Sequence, residues 1–375
     1  MKMVPLGEVV QFSNGGTPAR SKSEFWKGDI PWITGADITD EGAVSARSFI
    51  SQAAVARSST QVLPEGTVLL LTRTSVGKVA VLPRPMAINQ DITGITPSQA
   101  VDTRYLMHFL RASKPQLLRN LRGATIQGVT RQDVGSLEFP LAPLMQQRRI
   151  AAILDKTDAI RTKRRQVLAH LDALTQSIFH DMFGEDTDHV AIGDFATVRS
   201  GSTPPREDPS NFGGNIPWVK TAEVTGVITS TSEKVTDKGL REARLKVFPS
   251  GSVVVAMYGQ GKTRGQSAIL GVPATTNQAC AVIMPNRHFL PEFLYAQLVM
   301  NYERLRQSSE GGNQPNLSLK RVKEFGVVLP HIESQQEFAS RSSEIGHKRN
   351  VLLASLGSID ALFDALQSRA FKGEL

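Results

Sequence analysis

Gly28-Asp-Ile-Pro-Trp-Ile33 recurs as Gly214-Asn-Ile-Pro-Trp-Val219, and this pair of stretches decides the fold. At the same offset of 186 positions, Leu6-Gly-Glu8 meets Ile192-Gly-Asp194. Gly15, Thr17 and Pro18 meet Gly201, Thr203 and Pro204, Asp37 meets Glu223, and Thr39 meets Thr225. The correspondence runs without a gap from position 6 to position 39 and includes a shared Pro-Trp, so the chain is an internal duplication.

Working outward, the offset slips slightly but the order persists. Pro64-Glu-Gly66 pairs with Pro249-Ser-Gly251, and each leads into an apolar, strand-like run (68–71 and 253–257). Gly77-Lys78 pairs with Gly261-Lys262, and Asn89-Gln90 pairs with Asn277-Gln278 at an offset of 188. That offset then holds to the end: Gly123 with Gly311, Leu144 with Ile332, Gln147 with Gln335, Phe183 with Phe371. The slips fall in Gly-rich and polar stretches, where loops change length. The expected division is residues 1–143, 144–184, 185–331 and 332–375, a globular segment and a helix, twice over.

Each globular segment is rich in Gly, Pro and Thr with short β-type runs, interrupted by a helix near 104–118 and near 291–306, which reads as a compact α/β domain. Each is followed by one long helix. In the first, Ile150, Ile153, Thr157, Ile160, Arg164, Val167, Leu171, Leu174 and Ile178 follow a 3-4 spacing. The second gives Phe338, Arg341, Ile345, Lys348, Leu352, Ser355, Ile359, Leu362 and Leu366 in the same register. This is a coiled-coil seam with a weak middle, and Gly346 and Gly357 weaken the second helix modestly. The expected fold is α+β: two duplicated α/β domains separated by two long helices packed as an antiparallel coiled coil about a pseudo-twofold axis. A parallel pair, or helices that merely complete two separate cores, remain open alternatives. Forty helical residues span about 60 Å, so the pair would act as a ruler between two heads.

At 375 residues the chain is long enough for two cores, and 40% apolar with 21% charged residues is ordinary for a globular protein. A single cysteine, Cys280, rules out a disulfide framework and a cysteine metal site and fits a reducing cytoplasm. The start Met1-Lys-Met-Val-Pro5 lacks the apolar core of a signal peptide, and the longest unbroken apolar runs are too short for a membrane span. The net charge of +8 is spread over the first three segments and is not a tail. That distribution favours a polyanion such as nucleic acid, although many basic proteins bind nothing anionic.

Val253-Val-Val-Ala-Met-Tyr-Gly-Gln-Gly-Lys-Thr263 resembles a strand entering a phosphate loop, but the glycine needed five residues before Gly261 is Ala256. The first copy has Gly77-Lys78-Val79, with no hydroxyl after the lysine. A basic loop at a strand end, able to approach a phosphate backbone, fits better. The seven histidines show no metal-ligand spacing, and no Gly-x-Ser-x-Gly, Cys–His pair or methyl-donor glycine loop is present. Side chains suited to phosphates and base edges do gather in paired loops. The first copy offers Thr72, Arg73, Thr74, Ser75 and Lys78, then Gln127, Thr130 and Arg131; the second offers Tyr258, Gln260, Lys262 and Arg264, then Asn313, Gln314, Asn316 and Lys320. Any one of these positions also fits an ordinary polar loop, and the Pro-Trp pairs read as core anchors rather than stacking platforms. One scaffold with two different sets of tips would read two different short sequences.

These features together resemble the specificity subunit of Type I restriction–modification enzymes. The resemblance rests on the two openings (Leu6-Gly-Glu…Gly15-Gly-Thr-Pro18 and Ile192-Gly-Asp…Gly201-Ser-Thr-Pro204), the two Pro-Trp stretches, and the exits Pro140-Leu-Ala-Pro-Leu-Met-Gln-Gln-Arg-Arg-Ile150 and Leu329-Pro-His-Ile-Glu-Ser-Gln-Gln-Glu-Phe338. Its departures are His331 in place of Pro143 and a short connection at 184–189. The resemblance implies two target-recognition domains, each reading one half of a split, asymmetric site on double-stranded DNA. It implies two methyltransferase subunits docked on the helices and motor–nuclease subunits in the full complex, with no membrane partner. It places S-adenosylmethionine, ATP, magnesium and all catalysis in those partners and no cofactor in this chain. It does not transfer base contacts, because the recognition loops are the variable part of the family.

Overall fold

The computed structural model describes residues 1–123, 127–184, 188–259, 261–309 and 316–375. The chain forms two compact units, one built from Met1–Val167 with Leu352–Leu375, the other from Leu168–Val351. The unit boundaries fall inside the two long helices, Leu144–Phe183 and Ile332–Lys372, so each helix contributes one half to each unit.

In unit 1, Val68–Leu71 lies between Ile92–Pro97 and Val79–Val81, with Val10–Asn14 completing an antiparallel four-stranded sheet. A second sheet orders Ser48–Ile50, Ile30–Ile33, Met86–Ile88 and Val62–Leu63, its middle pair parallel. Lys2–Pro5 pairs with Glu138–Leu141. Val68–Leu71 reads as unbroken apolar sequence because both its faces are buried. Val68 and Leu70 join a core with Tyr105, Leu106, Leu110 and Phe139, while Leu69 and Leu71 join another with Ile33, Ile88 and Ile92. The expected helix near 104–118 is two helices, Thr103–Ala112 and Lys114–Arg119. Pro115 cannot supply the backbone N–H that would continue the first, and Asp102 caps it by accepting from Arg104 N and Tyr105 N.

Unit 2 repeats the plan. Val253–Ala256 sits between Cys280–Ile283 and Ser267–Leu270, flanked by Val198–Ser200 and Gly226–Ile228. Phe212–Val219 lies between Glu233–Val235 and Thr275–Thr276, and His189–Ala191 pairs with Gly326–Val328. Val253 and Val255 face one core, Val254 and Ala256 the other. The expected helix near 291–306 is likewise split, into Pro291–Met300 and Tyr302–Gln307.

The repeated residues of the opening stretches have structural causes. A Cβ on Gly28 would lie 2.2 Å from Ile50 O, and one on Gly214 would lie 2.4 Å from Val235 O, so only glycine fits. Trp32 and Trp218 are buried and donate their indole N–H groups to Gly16 O at 2.9 Å and Ser202 O at 3.1 Å. The Thr17 hydroxyl donates to Gln90 Oε1, as Thr203 does to Gln278 Oε1. The shared glutamines at the helix starts are buried staples. Gln147 accepts from Asp102 N and donates to Ala100 O and Ala142 O. Gln335 accepts from Leu290 N and donates to His288 O and Pro330 O, the same three positions 188 residues on.

Within each unit the two helix halves run antiparallel. In unit 1, Gln146 Nε2 donates to Leu375 O at 3.0 Å, and Arg161 Nε lies 2.6 Å from Asp360 Oδ1 with its guanidinium 4.3 Å over the Phe363 ring. In unit 2, Arg349 Nε meets Asp172 Oδ1 at 2.8 Å, and Phe179 and Phe183 pack on Phe338. Arg161 and Arg349 are repeat equivalents, as are Asp172 and Asp360, so one ion pair occurs twice. Both expected roles are present: the helices pair, and they complete cores. Phe371 packs on Tyr105 and Phe109 in unit 1, and Phe183 packs on Phe293 in unit 2.

The seam differs from the expected one by a regular slip. Ile150, Leu171, Ile178, Phe338, Ile345, Leu352, Ile359 and Leu366 lie on the buried or half-buried face. The alternate positions fall one residue later than expected. Ile153 is half-buried beside the buried Leu154; Arg161 and Leu168 face inward where Ile160 and Val167 were expected, and Thr175 replaces Leu174. In the second helix Ser342, Arg349 and Phe363 likewise replace Arg341, Lys348 and Leu362. Ile160, Val167, Leu174 and Leu362 are exposed. The slip has a physical origin: Arg161 turns inward with Asp360 to neutralise it, and Arg349 meets Asp172 at the equivalent position nearer the surface.

By length and composition the second helix is the one described helix apolar enough to cross a membrane, with mean hydropathy 1.3 over its most apolar window. Its apolar residues include Phe363 and Ala370, which belong to the unit 1 core. His108, also in that unit, is fully buried with Nε2 2.8 Å from Asp155 Oδ1 and no partner on Nδ1 among the described residues. Burial pushes its pKa below the usual histidine value despite the opposing pull of Asp155.

Candidate nucleic-acid interface

Two loops that are distant in sequence meet at the end of the central strand in unit 1. Val129 N donates to Thr72 O at 2.9 Å, Arg73 pairs with Gly128 in an isolated bridge, and Arg122 and Gly128 exchange both backbone hydrogen bonds. Unit 2 joins the matching segments through Leu317 N and Met257 O at 3.0 Å. The fold therefore brings together, in each unit, the loops singled out in the sequence.

Placement separates tips from supports. Arg73, Thr74, Ser75, Gln127 and Arg131 are exposed or at the surface of their loops, and neither Arg73 nor Arg131 has an ion pair among the described residues. Thr74 is held in the left-handed region at φ 61°, which projects this turn from the strand end. Thr72 is a correction: it is buried, hydrogen-bonded to Asp91 O and Thr93 Oγ1, and unavailable to a ligand. Thr130 stays exposed and also caps the helix Arg131–Gly135 in a reciprocal box with Asp133. Its hydrogen bonds hold the Asp133 carboxyl below the usual range. Lys78 is three-quarters buried and paired with Asp40 at 2.9 Å, which lowers the Asp40 pKa, so Lys78 braces the turn.

In unit 2, Tyr258 and Lys262 are exposed. Their loop is tied down by Tyr302, whose hydroxyl donates to Lys262 O at 2.6 Å, and by Arg306, which donates to Arg264 O at 2.9 Å. Asn316 is half-buried, while Lys320 is exposed and loosely paired with Glu324 at 3.7 Å. Gln260, Asn313 and Gln314 lie outside the described residues.

Sequence reasoning missed a further repeated feature. The Arg20 guanidinium lies 5.8 Å over Trp26, which meets Trp32 edge-on. Arg206 lies 4.9 Å over Phe212 and 5.3 Å over Trp218, which also pack edge-on. Arg20 and Arg206 share the 186-residue offset, and that identity was the available signal. The stack braces the Pro-Trp strand with a cation on its outer edge.

The candidate interface thus consists of exposed, partly cationic tips on a braced frame, present twice with different side chains. Among the described residues no group of three or more His, Cys, Asp or Glu could hold a metal ion.

Comparison with known proteins agrees with this architecture. The family model described as the Type I restriction modification DNA specificity domain matches residues 1–170 and again 184–350. The specificity subunit of the Type I restriction enzyme MjaIX from Methanocaldococcus jannaschii is 24% identical over 408 aligned residues, covering 100% of this chain and 92% of that protein. The crystal structure of the S subunit of a Type I restriction–modification system from M. genitalium superposes with a TM-score of 0.60 at 14% identity, covering 99% of this chain and 96% of that one. A chain from a study of complex assembly and conformational transition of the type I R-M system gives 0.54 at 18% identity, covering 100% and 98%. The two structural likenesses concern the fold.

Proposed function

Since the chain belongs to the Type I restriction modification DNA specificity family, we propose that it is the DNA-recognition subunit of such a complex, each unit reading one half of a bipartite, asymmetric site. The observation that carries this reading is the duplicated frame with unlike tips: Arg73, Ser75, Gln127 and Arg131 in one unit, Tyr258, Lys262 and Lys320 in the other. Unlike tips on one frame suit unlike base sequences, since arginine and lysine favour guanine edges and glutamine favours adenine.

In this reading the chain is not itself an enzyme. Methyl transfer with S-adenosylmethionine, and ATP- and magnesium-dependent translocation and cleavage, reside in two methyltransferase subunits and in motor–nuclease subunits, all in the cytoplasm. The exposed apolar residues Ile160, Val167, Leu174 and Leu362, left outside the helix seam, favour helical partners of that kind. The helix length sets the spacer between half-sites.

The test is an exchange of residues 1–143 for the equivalent domain of a relative, with the methylated motif read from the host genome. One half-site should change and the other persist; a change in both halves, or in neither, would sink the two-head reading. Inserting four to seven residues within 161–166 should alter only the spacer.

A further inference from the structure

Unit 2 contains a cleft that the recognition loops do not account for. It has a volume of about 670 Å³ and lies between the strand Val198–Ser200, the turn after the helix Asp237–Glu242, and the helix Leu319–Glu324. Four cations line it: Arg199, Arg244, Lys246 and Lys323. No aspartate or glutamate lines it, all four cations are exposed, and none has a side-chain hydrogen bond or ion pair among the described residues. Three other cations of this unit do meet carboxylates, Lys220 and Arg206 at Glu233 and Lys238 at Asp208. Four unmatched cations converging on one concavity form a local positive potential that favours an anion.

The backbone fixes the arrangement. Arg244 is in the left-handed region at φ 48°, and Leu245, which donates its N–H to Leu240 O at 2.9 Å, is buried between the two cations that flank it. Lys323 packs against Gly193, where a Cβ would come within 3.1 Å of the lysine stem. The helix that carries Lys323 also carries the exposed Lys320 and follows Asn316, so one element serves both the cleft and the candidate interface. At the corresponding positions of unit 1, Ser13, Ser59, Gln61 and Gly135 stand in place of the four cations.

We propose that this cleft seats the phosphodiester backbone of the DNA read by unit 2, and that unit 1 has no equivalent seat. The proposal rests on the DNA-reading function above. It makes the two units unequal: one contributes base contacts and a phosphate clamp, the other base contacts without that clamp. Phosphate contacts of this kind position the duplex without specifying its sequence.

The experiment measures binding of the full chain, with its methyltransferase subunits, to the cognate duplex and to duplexes with either half-site scrambled, over a salt series. The variant Arg244→Gln/Lys246→Gln is compared with Lys234→Gln/Arg287→Gln, which removes the same charge from exposed positions of unit 2 outside the cleft lining. Each lost phosphate contact flattens the salt slope by about 0.9. The cleft variant should therefore lose about tenfold less affinity than wild type between 50 and 200 mM salt, with half-site preference unchanged and the control variant matching wild type. Equal effects of the two variants, or none from the cleft variant, would overturn the proposal. So would saturable binding of inorganic phosphate, removed by the cleft substitutions, with an unaltered DNA salt slope. If wild type shows no sequence preference at all, the DNA-reading function fails instead, and the outcomes are distinct.

Discussion

Gln147 shows how much one side chain does in this fold. It satisfies a backbone donor and two backbone acceptors where the long helix leaves the first globular segment. Replacing it with alanine strands these groups, so Gln147→Ala should cost about 2–3 kcal/mol in urea unfolding. Gln335→Ala should cost about the same; a loss below about 0.5 kcal/mol in either would show that water replaces the amide. His108 supplies a pH dependence. Its folded pKa lies below the unfolded value of 6.5, so the stabilisation is fully present above pH 6.5 and declines as pH falls from there through the folded pKa. Stability curves at about pH 7.5 and about pH 5.5 should show this acid-side loss for wild type and a smaller one for His108→Gln; identical losses would exclude His108 as its source. At this scale the sequence was only partly legible. The positions of Arg73, Gln127 and Arg131 in exposed loops could be read, but the diversion of Thr72 into the sheet, Thr130 into a cap and Lys78 into an ion pair depends on the folded surroundings of each.

The long helices show a different limit. Their existence and ends followed from the offset of 188 and from an uninterrupted helical pattern, the antiparallel sense was only the simplest of the arrangements left open, and alternate seam positions were placed one residue early. Ile160, Val167 and Leu174 form an exposed apolar row that competes with the true row containing Arg161 and Thr175. What decides is the pairing of Arg161 with Asp360 and of Arg349 with Asp172, which no single helix reveals. Arg161 also covers the Phe363 ring, whereas Arg349 has no such ring contact among the described residues. A double-mutant cycle on Arg161 and Asp360 should give a coupling of about 0.5–1 kcal/mol, Asp360 being about one-third exposed. Arg161→Ala alone should cost more than Arg349→Ala, because it also loses the aromatic contact. Equal costs would mean that the ring contributes nothing.

At the scale of the molecule, the duplication was legible because it is enforced by backbone geometry. Gly28 and Gly214 have no room for a Cβ, and Trp32 and Trp218 need a carbonyl partner, so these residues stand at fixed offsets. The basic cleft of unit 2 was not legible, since its four cations come from three separated stretches that look ordinary one by one. The compact units also depart from the simple alternation of globular segment and helix, because unit 1 is completed by Leu352–Leu375. Deleting residues 352–375 should therefore destabilise unit 1, although the deleted segment lies far along the chain from the rest of that unit. Limited proteolysis should cut residues 1–143 of the truncated chain faster than in the full chain; unchanged protection there would show that Phe363, Ala370 and Phe371 are dispensable to that core.

That same construction sets a timetable during synthesis. Residues 168–351 are contiguous and contain everything unit 2 needs, whereas unit 1, begun earlier, must wait for residues 352–375, made after the whole of unit 2. Until Phe371 emerges, Tyr105 and Phe109 lack an aromatic neighbour that belongs to their core. A nascent chain stalled before that point would present an open apolar face, a natural client for a chaperone, and a premature stop codon late in the message would spoil the beginning of the protein.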